Sequence, residues 1–220
     1  MCGILCLYNK QRNVLEDCGK FNQMLHLLEH RGPDDSRTYF DSHVLLGHCR
    51  LSIIDLKGGK QPFEYTYQGK IYRIIFNGEI YNYREIAKRL IEEKKVDRFR
   101  GTSDTEVLLE AMEHMGIEEV ITLCKGMFAI ALYDKKERRL YLLRDRIGEK
   151  PLYYGFVNGC FVFGSDIGSI SVLDGFSNEI NRDVLDIYFV HGYIPAPYSI
   201  YEDIWKLEPG CILTLEAPFS

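Results

Sequence analysis

Met127-Phe128-Ala129-Ile130-Ala131-Leu132-Tyr133 is apolar at every position, without the alternation of a strand that keeps one face in water. Such a run needs cover on both faces, so the chain is expected to be layered with this strand inside. Working outward, residues 3–8, 38–40, 44–49, 71–76, 140–143, 152–156 and 160–163 read as further strands bounded by turn formers. Tyr83, Ile86, Ala87, Leu90 and Ile91 recur at helical spacing and predict a helix over 82–93, with Asn82 as its cap. Val107, Leu108, Ala111, Met112 and Met115 predict a second over 103–115, opened by a Ser103-x-x-Glu106 capping box. A third is predicted over 21–29. Hairpins and helices segregated in this way imply an α+β fold, with two antiparallel sheets packed face to face and helices outside, a four-layer αββα sandwich. The Gly- and Pro-rich run Gly192-Tyr193-Ile194-Pro195-Ala196-Pro197 is read as a domain edge, with residues 1–191 as the folded unit and 192–220 as the start of a linker.

Composition narrows the function. The 220 residues carry a net charge of −5 and no concentrated basic patch, which argues against nucleic acid or an anionic membrane as partner. Lys135-Lys136-Glu137-Arg138-Arg139 sits between two apolar runs and reads as a solvated hairpin loop. Seven cysteines, an odd number without a C-x-x-C pair, fit neither a disulfide framework nor a zinc module, so a reducing cytoplasm is expected. No segment has the composition of a signal peptide or approaches the ~18–20 apolar residues that span a bilayer.

Four features carry chemistry. Cys2 follows the initiator Met1, and if Met1 is removed one residue holds both a thiol and a free α-amine that can take the thiol proton. Against this stands the reading of Cys2 as part of an apolar core strand with Ile4, Leu5 and Leu7. Asn77-Gly78-Glu79 places an amide side chain and an unhindered backbone N–H at the end of a strand, the parts of an oxyanion hole; Asn-Gly is also a hairpin signal, but the helix that follows makes it a strand-to-helix junction. Arg50 lies among apolar neighbours and needs an anion, either Asp55 or another protein carboxylate, or a ligand carboxylate held bidentately. Asp104 either complements a helix N-terminus or receives an ammonium group. Together a thiol with its own base, an oxyanion hole, a carboxylate receptor and an ammonium receptor match an amino acid with a side-chain amide, and glutamine is the candidate.

Across essentially its whole length the sequence resembles the N-terminal glutaminase domain of asparagine synthetase, a class II glutamine amidotransferase of the N-terminal-nucleophile hydrolase type. The resemblance is carried by Met1-Cys2-Gly3-Ile4, His30-Arg31-Gly32-Pro33-Asp34, Gly47-His48-Cys49-Arg50-Leu51-Ser52-Ile53-Ile54-Asp55, Phe76-Asn77-Gly78-Glu79-Ile80-Tyr81-Asn82-Tyr83, Ser103-Asp104-Thr105-Glu106, Gly126-Met127-Phe128-Ala129 and the stretch from Arg144 to Tyr154. It implies that Cys2 attacks the glutamine amide, that Asn77 and the Gly78 N–H hold the oxyanion, and that Arg50 binds the substrate carboxylate. It further implies that Asp104 and Glu79 bind the substrate amino group, with Leu51, Ser52, Ile53 and Ile54 lining the pocket. No metal or organic cofactor is implied for this half-reaction; ATP and Mg belong to a synthetase domain, to which ammonia passes. L-glutamine is the implied partner, with a homodimer possible in principle. Another acceptor, such as a sugar carboxylate, and a non-catalytic glutamine-binding module are the alternatives. For His30 and Arg31 the resemblance implies a place near the active-site entrance, while the residues read equally as flanking a Gly-Pro-Asp turn, and they are left outside the site; the stretch from Arg144 to Tyr154 is read as structural or interface-forming. Phe163-Gly164-Ser165-Asp166 departs from the family's Phe-Ala-Ser-Glu, and a Ser-Gly-Gly-x-Asp-Ser loop does not occur, so these residues are expected to make ammonia rather than asparagine.

Overall fold

The computed structural model describes residues 1–53, 59–67, 70–99 and 101–216. Its strands are β1 (Gly3–Tyr8), β2 (Asp35–Phe40), β3 (Val44–Arg50), β4 (Phe63–Tyr67), β5 (Lys70–Ile80), β6 (Gly126–Asp134), β7 (Arg139–Arg144), β8 (Tyr153–Val157), β9 (Cys160–Gly164), β10 (Ile204–Lys206) and β11 (Ile212–Leu215). Its α-helices are α1 (Cys18–His26), α2 (Tyr83–Glu92), α3 (Asp104–Met115), α4 (Ile117–Leu123), α5 (Ile167–Ile170) and α6 (Asp183–His191). One sheet has the order β10-β8-β9-β1-β3-β2 and the other β11-β7-β6-β5-β4, and every strand pairing in both is antiparallel.

Strand alternation sorts the apolar side chains into three cores that define four layers. Ile4, Cys6 and Tyr8 of β1 meet Ala129, Ala131 and Tyr133 of β6 between the sheets. Leu5 and Leu7 turn the other way, onto Phe21, Met24 and Leu25 of α1. Phe128, Ile130 and Leu132 face α2, α3 and α4. The expected αββα sandwich is what forms, and the unbroken run in β6 is apolar because it fills two cores at once.

Several expected boundaries move. β5 does not stop at Phe76: it continues to Ile80, with Asn77 opposite Ala129 and Gly78 opposite Phe128 of β6. Asn-Gly is therefore neither a hairpin turn nor a strand-to-helix junction but mid-strand. α1 starts earlier than expected, and the stretch after it closes by short-range turns such as Arg31 N–H to Leu28 O. Asn82 stands at the N-cap position of α2 as expected, but its side chain makes no cap bond; it instead donates to Leu123 O (3.0 Å) and accepts from Lys125 N (2.8 Å). Ser103 caps α3 through Thr105 N, but Glu106 accepts from Gly101 N rather than closing the box. The linker assigned to 192–220 is also revised: β10 pairs with β8 and β11 with β7, so this stretch adds a strand to each sheet. No helix among the described residues is long and apolar enough to cross a membrane.

Candidate active site

β1 and β3 run antiparallel with Gly3 opposite Cys49, so Cys2, just before β1, lies beside Arg50, the last residue of β3. Arg50 continues the face of β3 that holds Val44 and Leu46 between the sheets. One cavity gathers Cys2, Arg50, Leu51, Ile53, Asn77, Gly78, Glu79 and Asp104. Ser52 is not in its lining; its N–H instead donates to Asp34 at 2.7 Å. Ile54, and with it Asp55, lies outside the described residues. The cavity carries cations from Arg50 and Lys150 and carboxylates from Glu79 and Asp104, a charge pattern complementary to the zwitterion of an α-amino acid.

The half-buried Cys2 sulfur accepts the Leu51 N–H at 3.4 Å and lies 3.7 Å from Leu51 O. Burial raises its pKa, and the Leu51 N–H, the chain terminus, Arg50 and Lys150 each work against that rise. Arg31, left outside the site by sequence reasoning, donates from Nε to Cys2 O at 3.2 Å and so holds the backbone of the cysteine. Met1 still precedes Cys2, and the Lys150 ammonium donates to the Met1 thioether at 3.3 Å. Lys150 is 5% exposed, and among the described residues no carboxylate lies within ion-pairing distance of it.

Lys150 reaches the cavity because the Asp145 carboxylate accepts from the backbone N–H groups of Phe128, Ile147, Gly148, Glu149 and Lys150, tying the loop to β6. Arg144 closes the same loop by donating to Gly148 O, Lys150 O and Leu207 O. The stretch from Arg144 to Tyr154 is thus structural, as expected, yet also delivers a charge to the site. Nothing in local sequence marked Lys150, because its proximity to Cys2 is a contact across 148 positions.

On β5 the groups alternate. Odd residues bond to β6; Phe76, Gly78 and Ile80 turn N–H and C=O to the opposite side, where β4 runs alongside only as far as Phe63 opposite Ile74. Ile80 N–H there donates to Asp104 Oδ2 at 3.1 Å. Gly78 lies between, with its N–H on the cavity side. A Cβ at Gly78 would sit 2.1 Å from Met127 O, so only glycine allows β5 and β6 to approach this closely. The Asn77 amide nitrogen, 1% exposed at the residue level, has no hydrogen-bond partner among the described residues. Asp104 is buried and its pKa raised by that burial, which the N–H groups of Ile80 and Thr105 oppose. His48, Gln61 and Thr105, absent from the sequence-based site, also line the cavity.

The αββα sandwich is a fold of the N-terminal-nucleophile hydrolase type, and solved structures share it. The Bacillus subtilis glutamine phosphoribosylpyrophosphate amidotransferase superposes with a TM-score of 0.71 at 17% identity, over 98% of this chain and 47% of that one. The chain belongs to the glutamine amidotransferase domain family, whose model matches residues 1–218. It is 36% identical over 97% of its length to asparagine synthetase [glutamine-hydrolyzing] 3 of Bacillus subtilis, and 38% identical over 98% to asparagine synthetase [glutamine-hydrolyzing] 1 of that organism. It spans about a third of those relatives, 34% and 33% of their lengths.

Proposed function

We propose that this glutamine amidotransferase domain hydrolyses L-glutamine to L-glutamate and ammonia through a thioester on Cys2. The observation that carries the reading is the convergence on one cavity of Cys2 from just before β1, Arg50 from β3, Asn77, Gly78 and Glu79 from β5, and Asp104 from α3. Glutamine enters with its carboxylate toward Arg50 and its ammonium toward Asp104 and Glu79, against Leu51 and Ile53. Removal of Met1 frees the Cys2 α-amine, which takes the thiol proton as sulfur attacks the amide carbon. The tetrahedral oxyanion is held by Asn77 Nδ2 and the Gly78 N–H. Collapse breaks the C–N bond, and the ammonium of Cys2 returns the proton to the leaving nitrogen as ammonia. Water then adds to the thioester, giving glutamate and the thiol.

In the longer protein that the relatives suggest, the ammonia would serve an ATP- and Mg-dependent synthetase domain that converts aspartate to asparagine. The experiment is intact-mass analysis and glutamate release on the protein with Met1 removed. A single Cys2-dependent adduct with a glutamine-analogue electrophile, and turnover lost in Cys2→Ala, are expected. Full turnover in a chain whose mass shows Met1 retained would falsify the mechanism.

A further inference from the structure

The edge of β5 that faces the cavity has lost its neighbouring strand. Among the described residues the ladder with β4 ends at Phe63 opposite Ile74, so Phe76 has no backbone partner on that side. A buried peptide N–H and C=O left without partners would lose their hydration with nothing in exchange. At Phe76 both are satisfied by side chains. Gln61 Oε1 accepts the Phe76 N–H at 2.6 Å, and His48 Nε2 donates to Phe76 O at 3.2 Å. His48 and Gln61 are 1% and 7% exposed, and both line the cavity.

We propose that His48 and Gln61 are positioning residues for the oxyanion donors: they stand in for the missing strand and fix the peptide that leads into Asn77 and Gly78. The assignment rests on the glutaminase reading above. The Phe76 carbonyl belongs to the peptide unit ending at the Asn77 nitrogen, so the His48 bond sets the orientation of that plane. Ile80, held by Asp104, fixes the other side of Gly78. Gln61 Nε2 also reaches Thr105 Oγ1 at 3.4 Å, linking the clamp to the first turn of α3 beside Asp104. The bond to a carbonyl requires Nε2 to carry the proton, so His48 acts as a neutral donor with Nδ1 unprotonated. Nδ1 is buried without a partner among the described residues, and burial, with Arg50 nearby, holds the imidazole pKa down at about 4 against the pull of Phe76 O and Asp35.

The test uses the protein with Met1 removed and the variants His48→Leu, His48→Gln and Gln61→Met. A side-chain amide at 48 keeps a donor near the original Nε2; leucine removes it. Three readouts separate positioning from general damage: kcat against KM for glutamine, affinity for L-glutamate γ-semialdehyde, and the rate of Cys2 alkylation by iodoacetamide. The semialdehyde adds the thiol across its C=O, forming a C–S bond and passing the thiol proton to oxygen, so its affinity depends on the oxyanion donors. Iodoacetamide is displaced at carbon and needs no oxyanion.

Expected are a fall of about tenfold or more in kcat and in semialdehyde affinity for His48→Leu and Gln61→Met, with KM and alkylation rate within about threefold of the unmodified protein. His48→Gln should recover most of the loss. If His48→Leu does not fold, the same readouts on His48→Asn, whose shorter amide withdraws the donor, take its place. Wild-type turnover with kcat held within about threefold in His48→Leu (or His48→Asn) and Gln61→Met overturns the assignment alone, as does an alkylation rate that falls in step with kcat. A wild-type protein that neither hydrolyses glutamine nor binds the semialdehyde overturns the glutaminase reading and the assignment together.

Discussion

The two sheets serve the cavity in different ways. The sheet built on β1 and β3 contributes side chains at strand ends, with Cys2 before one strand and Arg50 at the end of its neighbour. The other contributes the middle of a strand, where Asn77 and Gly78 sit in unbroken register with Ala129 and Phe128. A group at a strand end can be exchanged with little loss of pairing. A group within a ladder is set by every hydrogen bond around it. In the proposed reaction the first sheet would therefore supply chemistry that substitution removes cleanly, and the second geometry that depends on its surroundings.

The sharpest break in that comparison is Cys2→Ala, for which glutamine turnover should disappear while the thermal melt stays near that of the unmodified protein. Cys2 precedes the first ladder residue, so a coupled loss of folding would mean the strand end is not separable from the sheet. Asn77→Ala comes next. Removing one oxyanion donor should lower kcat by about 100- to 1000-fold with a smaller change in KM, read by steady-state kinetics. An unchanged kcat would place the oxyanion elsewhere.

Arg50→Ala should act on binding. Truncating one member of a desolvated charge pair costs about 2–5 kcal/mol, so KM should rise by about 30-fold or more while kcat changes little. A kcat effect larger than the KM effect would move Arg50 from substrate binding to the chemical step.

The smallest effect is on stability and concerns the bridge between the sheets. His48 projects from β3 to a carbonyl of β5, and its folded pKa of about 4 lies below the ordinary 6.5. The unfolded chain takes up a proton there first as pH falls, so the contribution is fully present above about 6.5 and is lost as pH drops toward 4. Its limit is roughly 3 kcal/mol, and urea melts at neutral and mildly acidic pH should show a steeper loss in the unmodified protein than in His48→Gln. Equal slopes would remove His48 from the acid sensitivity of the fold.

Much of this was legible without coordinates where the signal was local. The unbroken run of β6 implied two covered faces, and the helical spacing of Val107, Leu108, Ala111 and Met112 implied α3. The weakly patterned strands β4, β10 and β11 were not assigned, because strands of three to five residues carry little periodicity. The break expected after Phe76 failed for a related reason: Asn-Gly is a turn signal by local preference, and the ladder with β6 overrides it.

Residue identities by themselves were sufficient to nominate Cys2, Arg50, Asn77, Gly78 and Asp104, through a thiol, two charged side chains, an amide and an unhindered N–H, and the family resemblance added Glu79. Only the tertiary structure brought in Arg31, His48, Gln61 and Lys150. Arg31, His48 and Gln61 act through contacts whose partners lie far along the chain, the backbone of Cys2, an edge carbonyl and an edge N–H, and Lys150 lines the same cavity from a loop distant in sequence. Such contacts leave no periodic or neighbouring mark in sequence; those of His48 and Gln61 arise because β4 ends early and the buried peptide groups of β5 must find partners elsewhere.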